Sequence, residues 1–98
     1  MNEDLKVLKK ASFVTSSKVR SKIMKLLQDR EYATPKEISR TLGNHISTIS
    51  KTLRELRNEG LVEFIEHEHS RSRLYFLTDD GKKVAGIVSK LSERRKDD

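Results

Sequence analysis

The sequence predicts a mainly α domain carrying one small two-stranded sheet, and three observations lead there. Between Thr34 and Gly60 apolar residues recur at steps of three and four, in two runs separated by Gly43. Such spacing collects them on one side of a helix. From Leu61 to Leu77 the pattern shifts to an imperfect alternation rich in β-branched and aromatic residues, as in paired strands. Beyond Thr78 the helical spacing returns at Val84, Ile87, Val88 and Leu91.

Residues 1–14 are expected to form an N-terminal helix or arm, with Leu5 and Leu8 at i, i+3, Val7 to one side, and Lys6, Lys9 and Lys10 outward. It is either a packing arm or half of a dimer seam, and the seam is the favoured reading. Ser16 or Ser17 can cap the next helix. That helix extends to about Asp29 and buries Val19, Ile23, Leu26 and Leu27, with Met24 as a flank or gap-filler. Tyr32-Ala33 is a short link holding at most one strand pair. Thr34-Pro35-Lys36-Glu37 then has the form of a capping box, in which hydroxyl and carboxylate each satisfy a free backbone N–H. Pro35 takes the first helical position, where a missing N–H costs nothing. Ile38 and Leu42 give this helix its apolar side, and Gly43 suits a left-handed end.

The longer helix that follows sets Ile46, Ile49, Leu53 and Leu56 on one stripe and stops at Gly60. Ser47, Thr48, Lys51, Arg54, Glu55 and Asn58 fall on the opposite side. Its first turn is capped by His45 or Asn44. A short helix, a glycine turn and a longer helix with hydroxyls and cations outward is the pattern of a helix-turn-helix.

Leu61–Glu66 and Arg73–Leu77 are read as antiparallel strands joined by the polar tip His67–Ser72, which lacks a glycine. Thr78 restarts the helix. Asp79 and Asp80 lie in its first turn, where acids suit the helix dipole, and Gly81 suggests a close approach to the strand. The apolar stripe of this last helix exceeds what so small a core can cover, so pairing with a second copy is expected. Glu93–Asp98 is expected to fray. The chain thus divides into the N-terminal helix (1–14), core and hairpin (16–78) and C-terminal dimerisation helix (79–95), within one domain over 1–98.

At these residues the chain resembles a known family. LGNHISTISKTLRELRNEGLV is similar to the recognition segment of winged helix-turn-helix transcription regulators of the ArsR and MarR kind, and YFLTDDGKKV to the end of their wing and start of their last helix. Ser16, Ser17 and Arg20 also match the family's serine-rich cap and following arginine. The resemblance covers roughly Ser16 to Leu91. It implies a winged helix: three-helix core, two-stranded wing, and flanking N- and C-terminal helices. His45, Asn44 and Ile46 depart from the family's usual small capping, aliphatic and polar residues. The cysteine motif of metal-sensing ArsR relatives is absent, so that mode of regulation is not implied.

Composition narrows the function. Hydrophobic residues make up only 34% of the chain, and so small a core favours a dimer. No cysteine is present, which excludes disulfides and thiolate sites. No apolar run reaches membrane-spanning length and no signal-peptide core is visible, so a cytoplasmic location without membrane contact is expected. The four glycines are scattered at 43, 60, 81 and 86, not gathered in a phosphate loop, and no nucleophile–base–acid set can be assembled. No enzyme activity or cofactor is expected. His67 and His69 alternate on a strand, but no third or fourth ligand can be placed beside them, so no metal is expected either. No residue set points to a small-molecule effector.

Net charge is +6, and residues 1–60 carry thirteen Lys/Arg against seven Asp/Glu while 61–98 are balanced at eight against eight. The surplus therefore lies with the helix-turn-helix, and charge and motif together indicate duplex DNA. Ser47, Thr48, Ser50, Lys51 and Arg54 are the expected contacts of the recognition helix, with a lysine able to donate to guanine. His69, Arg71 and Arg73 are expected from the wing, and Lys18, Arg20, Lys36, Arg40 and Arg57 against phosphates. Leu5, Leu8, Val84, Ile87, Val88 and Leu91 are expected at a homodimer contact. The expected function is a sequence-selective, homodimeric DNA-binding transcription regulator. The alternative is a winged-helix adaptor that binds protein within a larger assembly.

Overall fold

The structure, a computed structural model, describes residues 2–66 and 72–96. Its elements are α1 (Asn2–Thr15), α2 (Lys18–Arg30), α3 (Pro35–Leu42), α4 (Ile46–Asn58), β1 (Val62–Glu66), β2 (Arg73–Leu77) and α5 (Asp79–Lys96). The fold is a winged helix: mainly α, with β1 and β2 antiparallel from Val62↔Leu77 to Glu66↔Arg73. Ala33 adds an isolated bridge to Tyr75, exchanging hydrogen bonds of 3.1 and 2.9 Å. The link before α3 is thereby fastened to the second strand of the wing.

The helix ends follow local chemistry. Ser17 caps α2 by accepting from the Arg20 N–H. Thr34 and Glu37 complete the capping box of α3, and Gly43 closes that helix at φ 70°, ψ 26°. His45 is the N-cap of α4 without a side-chain hydrogen bond, so neither expected capping side chain closes that end. Thr78 ties three elements together. Its Oγ1 accepts from the Gly81 N–H at 3.0 Å and donates to the Gly60 carbonyl at 2.6 Å, while its N–H donates to Leu61 O at 3.1 Å. The start of α5 is pressed so closely onto Leu61 that a Cβ at position 81 would overlap its backbone carbonyl. The glycine there is a packing requirement.

The core draws on every helix: Val14, Ile23, Met24, Leu27, Ile38, Ile49, Leu53, Leu56, Leu61, Val62 and Val84 are fully enclosed. Several expectations need correction. In α1 the buried line is Ala11 and Val14 with Val7 packed against it, while Leu5 and Leu8 are exposed. Steps of three and four from Val7 through Ala11 to Val14 outweigh the single Leu5/Leu8 pair, which also carries the helix on to Thr15. Met24 is core, and Val19 only partly buried.

The correction with most consequence is in α5. Val84 and Val88, expected at a dimer contact, are buried within the chain because α1 and α2 lie across them, and Ile87 packs against the same cluster. Of the expected dimer residues only Leu5, Leu8 and Leu91 remain well exposed. The helix also continues to Lys96 through a run of good helix formers, past the residue where fraying was expected.

Candidate nucleic-acid interface

The candidate interface is built on α4. Ile49, Leu53 and Leu56 fix the inner side of this helix in the core, joined by Thr52, whose hydroxyl donates to the Thr48 carbonyl at 2.8 Å. That anchoring turns Ser47, Thr48, Ser50, Lys51 and Arg54 to the surface, and all five are exposed. Among the described residues Lys51 and Arg54 make no ion pair, so both charges stay available. Ile46 departs from expectation. It sits on the wing-facing edge of the helix, not beneath it, and is 47% exposed.

Between α4 and the wing runs a groove of about 370 Å³. Ile46, Ser50, Arg54 and Arg57 line it from α4, Thr34, Pro35 and Lys36 from the start of α3, and Phe64, Ser72, Arg73 and Tyr75 from the wing. Among the described residues four cations border it and no carboxylate does. Phe64 organises two of them: the guanidinium carbons of Arg57 and Arg73 lie 4.6 and 4.4 Å from its ring centroid. The ring's negative faces attract both cations and hold them in place. Tyr75 supports the ring from the side, with centroids 5.3 Å apart.

Each of these arginines also has an acidic partner. Arg57 Nε meets Glu63 Oε1 at 2.7 Å and Arg73 Nε meets Glu66 Oε1 at 3.5 Å. The hydrogen bond from Arg57 is the main reason that the Glu63 carboxyl is held below its ordinary range. All four side chains are about half exposed or more, so water and salt screen both pairs. A stronger anion can displace either carboxylate.

Arg20 is the clear correction among the expected phosphate contacts. Its guanidinium donates to Glu55 Oε1, to the Phe13 carbonyl at 2.9 Å and to Ser16 Oγ at 3.0 Å, and stacks 3.9 Å from the centroid of the Phe13 ring. Only 19% of the side chain is exposed. Arg20 therefore locks α1, α2 and α4 together. The expectation failed because the acceptors lie far away in sequence, at Phe13 and Glu55. Lys18, Lys36 and Arg40 are exposed as expected. His69 and Arg71 of the wing, like His67, lie outside the described residues. Among the described residues no group of three or more His, Asp or Glu is placed to hold a metal, and no helix is long and apolar enough to cross a membrane.

What sequence reading missed is the groove itself. Phe64 and Tyr75 gave only a strand signal, and no local pattern linked them to Arg57. The one available hint was an aromatic residue, Phe64, lying in sequence between Arg57 and Arg73.

Comparison with known proteins bears on this arrangement. Residues 6–93 match the family model described as the N-terminal domain of the methanogenesis regulatory protein FilR1. No curated protein matches the chain in sequence. Among solved structures, the transcriptional regulator homologue protein from Pyrococcus horikoshii is 26% identical, with 99% of this chain and 96% of that one covered and a TM-score of 0.76. NMB1585, a MarR family regulator from Neisseria meningitidis, is 28% identical over 76% of this chain and 54% of its own, with a TM-score of 0.68. A variant of Lactococcus lactis ZitR is 22% identical, with a TM-score of 0.73; the match covers 80% of this chain and 53% of that protein, so the chain spans about half of its length.

Proposed function

We infer a function in reading duplex DNA from one premise: the chain belongs to the family of FilR1 N-terminal domains. Its structural relatives are winged-helix transcription regulators, not enzymes. The finer reading is that this chain binds DNA sequence-selectively as a homodimer and controls transcription by occupying a promoter. One observation carries it. A helix anchored by three core residues offers uncommitted Lys51 and Arg54 beside a groove that, among the described residues, is bordered by cations and lined by no acid.

In this reading Ser47, Thr48, Ser50 and Lys51 face base edges, while Lys36, Arg40, Arg54, Arg57, Arg73 and Lys18 supply phosphate contacts. The wing residues His69 and Arg71 are proposed to extend that contact from the hairpin tip. Exposed Leu5, Leu8 and Leu91 support a seam with a second copy, narrower than the sequence suggested. Two reading helices would then address half-sites about 34 Å apart.

The test is a filter-binding measurement on mixed genomic DNA at two salt concentrations, followed by selection of bound fragments from random duplexes. Affinity should fall steeply with salt. Lys51→Ala should reduce discrimination among the selected fragments, whereas Arg71→Ala should weaken binding to all of them alike. Salt-insensitive binding, or none, would favour an adaptor that contacts protein.

A further inference from the structure

Ile46 opens the reading helix, yet the core does not take it up. It stays 47% exposed while Ile49, Leu53 and Leu56 fill the space beneath α4. A single aliphatic side chain at a surface is ordinary. The surroundings of this one are not. One turn on, Ser50 lines the same groove, followed by Arg54, with Lys36 and Arg73 across from them. An uncovered aliphatic group therefore stands at the first residue of the helix, among cations that suit a polyanion. The first turn of such a helix is the part that approaches base edges. On those edges the major groove presents hydrogen-bonding groups and one apolar feature, the C5 methyl of a pyrimidine.

Building on the DNA reading above, we infer that Ile46 is a specificity-determining residue that packs against a pyrimidine C5 methyl, that of thymine or 5-methylcytosine, in the bound duplex. Its branched side chain has no hydrogen bond to offer, so it selects by removing a methyl group from water. Ser47 and Lys51 address polar edges of neighbouring bases. Against an unmethylated cytosine or a purine at that position, Ile46 is left against polar groups that it cannot satisfy.

The experiment starts from a duplex selected by the full chain. Each thymine is replaced singly by deoxyuridine, which deletes only the methyl, and each cytosine singly by 5-methylcytosine, which adds one. Dissociation constants are measured by fluorescence anisotropy for the wild type, Ile46→Val and Ile46→Ala. At one position per half-site, deoxyuridine should weaken wild-type binding about fourfold, the factor that corresponds to one methyl group returned to water, about 0.8 kcal/mol. The thymine-to-uracil ratio should approach one in Ile46→Ala and lie between in Ile46→Val. If the methyl read belongs to 5-methylcytosine, the gain appears in the cytosine arm instead and is likewise lost in Ile46→Ala. Because Ile46 lies outside the buried core, both variants should keep the wild-type melting temperature, which separates a lost base contact from a lost fold. Insensitivity to both base changes, or a sensitivity that persists in Ile46→Ala, overturns the inference. A wild type that binds no duplex even at low salt overturns the DNA reading itself, and this inference with it.

Discussion

Lys10 in α1 donates from Nζ to the backbone carbonyl of Glu59, 2.7 Å away, at the C-terminal end of the helix that carries Ser47 and Lys51. That end gathers carbonyls without intrahelical partners and the negative pole of the helix dipole, and a lysine ammonium answers both. Lys10→Met keeps most of the stem and removes the charge. It should lower stability by about 0.5 kcal/mol, which moves the melting temperature of so small a domain down by about 2–4 °C. Lys9→Met, at an exposed neighbour with no such bond, should leave the circular-dichroism melt unchanged. Equal losses in both variants would mean that the contact with Glu59 contributes nothing.

Two glycines of α5 should respond in opposite directions. Helix propensity alone predicts a gain of about 1 kcal/mol when either becomes alanine. At Gly86 nothing lies within 4 Å of an added Cβ, so Gly86→Ala should show that gain in urea unfolding. At Gly81 the added carbon would overlap the Leu61 carbonyl, and Leu77 Cβ stands 3.3 Å away. Backbone cannot rotate aside as a side chain can. Gly81→Ala should cost about 3 kcal/mol.

Glu31 is the one non-glycine residue with a positive φ among the described residues, at φ 72°, ψ −50°. That conformation costs an L-residue about 1–3 kcal/mol. It is imposed because the chain must leave α2 while the Glu31 N–H donates to Leu27 O at 3.0 Å and Ala33, two residues on, pairs with Tyr75. Glu31→Gly should stabilise the domain by about 1 kcal/mol, the relieved strain less the extra freedom glycine brings to the unfolded chain. Chemical denaturation of the two proteins side by side measures it.

These residues also mark how far the sequence could be read. The capping box and the Gly43 turn were legible because each depends on residues within a few positions of one another, and the strand pair and the close approach at Gly81 because alternation, and a glycine at a helix start, are themselves local signals. The wrong expectations share a different origin. Val84 and Val88 looked free because periodicity reports that a helix has an apolar side, not what covers it, and the cover is α1 and α2, more than fifty residues earlier. Arg20 looked available because its partners Phe13 and Glu55 come together only after folding. Ile46 fitted the spacing of the buried stripe, but its place at the helix edge depends on where the wing lies.

The capping box should make stability depend on pH. The Glu37 carboxyl accepts from the Thr34 N–H at 2.8 Å, and this bond, followed by the one involving the Thr34 side chain, holds its pKa below the ordinary value. A depressed folded-state pKa contributes stability that is complete above the unfolded-state value, about 4.3, and is lost as pH falls through the lower, folded one. Glu37→Gln should therefore flatten the acid limb of a stability profile below about pH 4.3 and change little in its shape at neutral pH. Thr34→Ala, which removes the other half of the box, should cost about 1 kcal/mol across the neutral range.

On the proposed reading, Glu63 is a competitor of DNA phosphate for Arg57. The carboxylate sits 2.7 Å from the Arg57 Nε, while Phe64 holds the guanidinium in place independently. Replacing Glu63 by glutamine removes the competing charge without removing the ring, so Arg57 stays on the border of the groove. Affinity should then rise for all duplexes alike, and the plot of log affinity against log salt should steepen by about 0.9, the contribution of one further phosphate contact. Arg57→Ala should shift both quantities the other way. Arg20→Ala serves as the contrast: its cation is already engaged with Glu55, Phe13 and Ser16, so it should lower thermal stability and leave the salt slope as it was. Because the Arg57 hydrogen bond lowers the Glu63 pKa, the pair persists through neutral pH and breaks only as pH falls through that lowered value. The gain from Glu63→Gln should therefore be constant between pH 6 and 8, a range chosen well above the carboxylate's ordinary value of about 4.3. A gain that faded as pH dropped from 8 to 6 would assign the effect to another group.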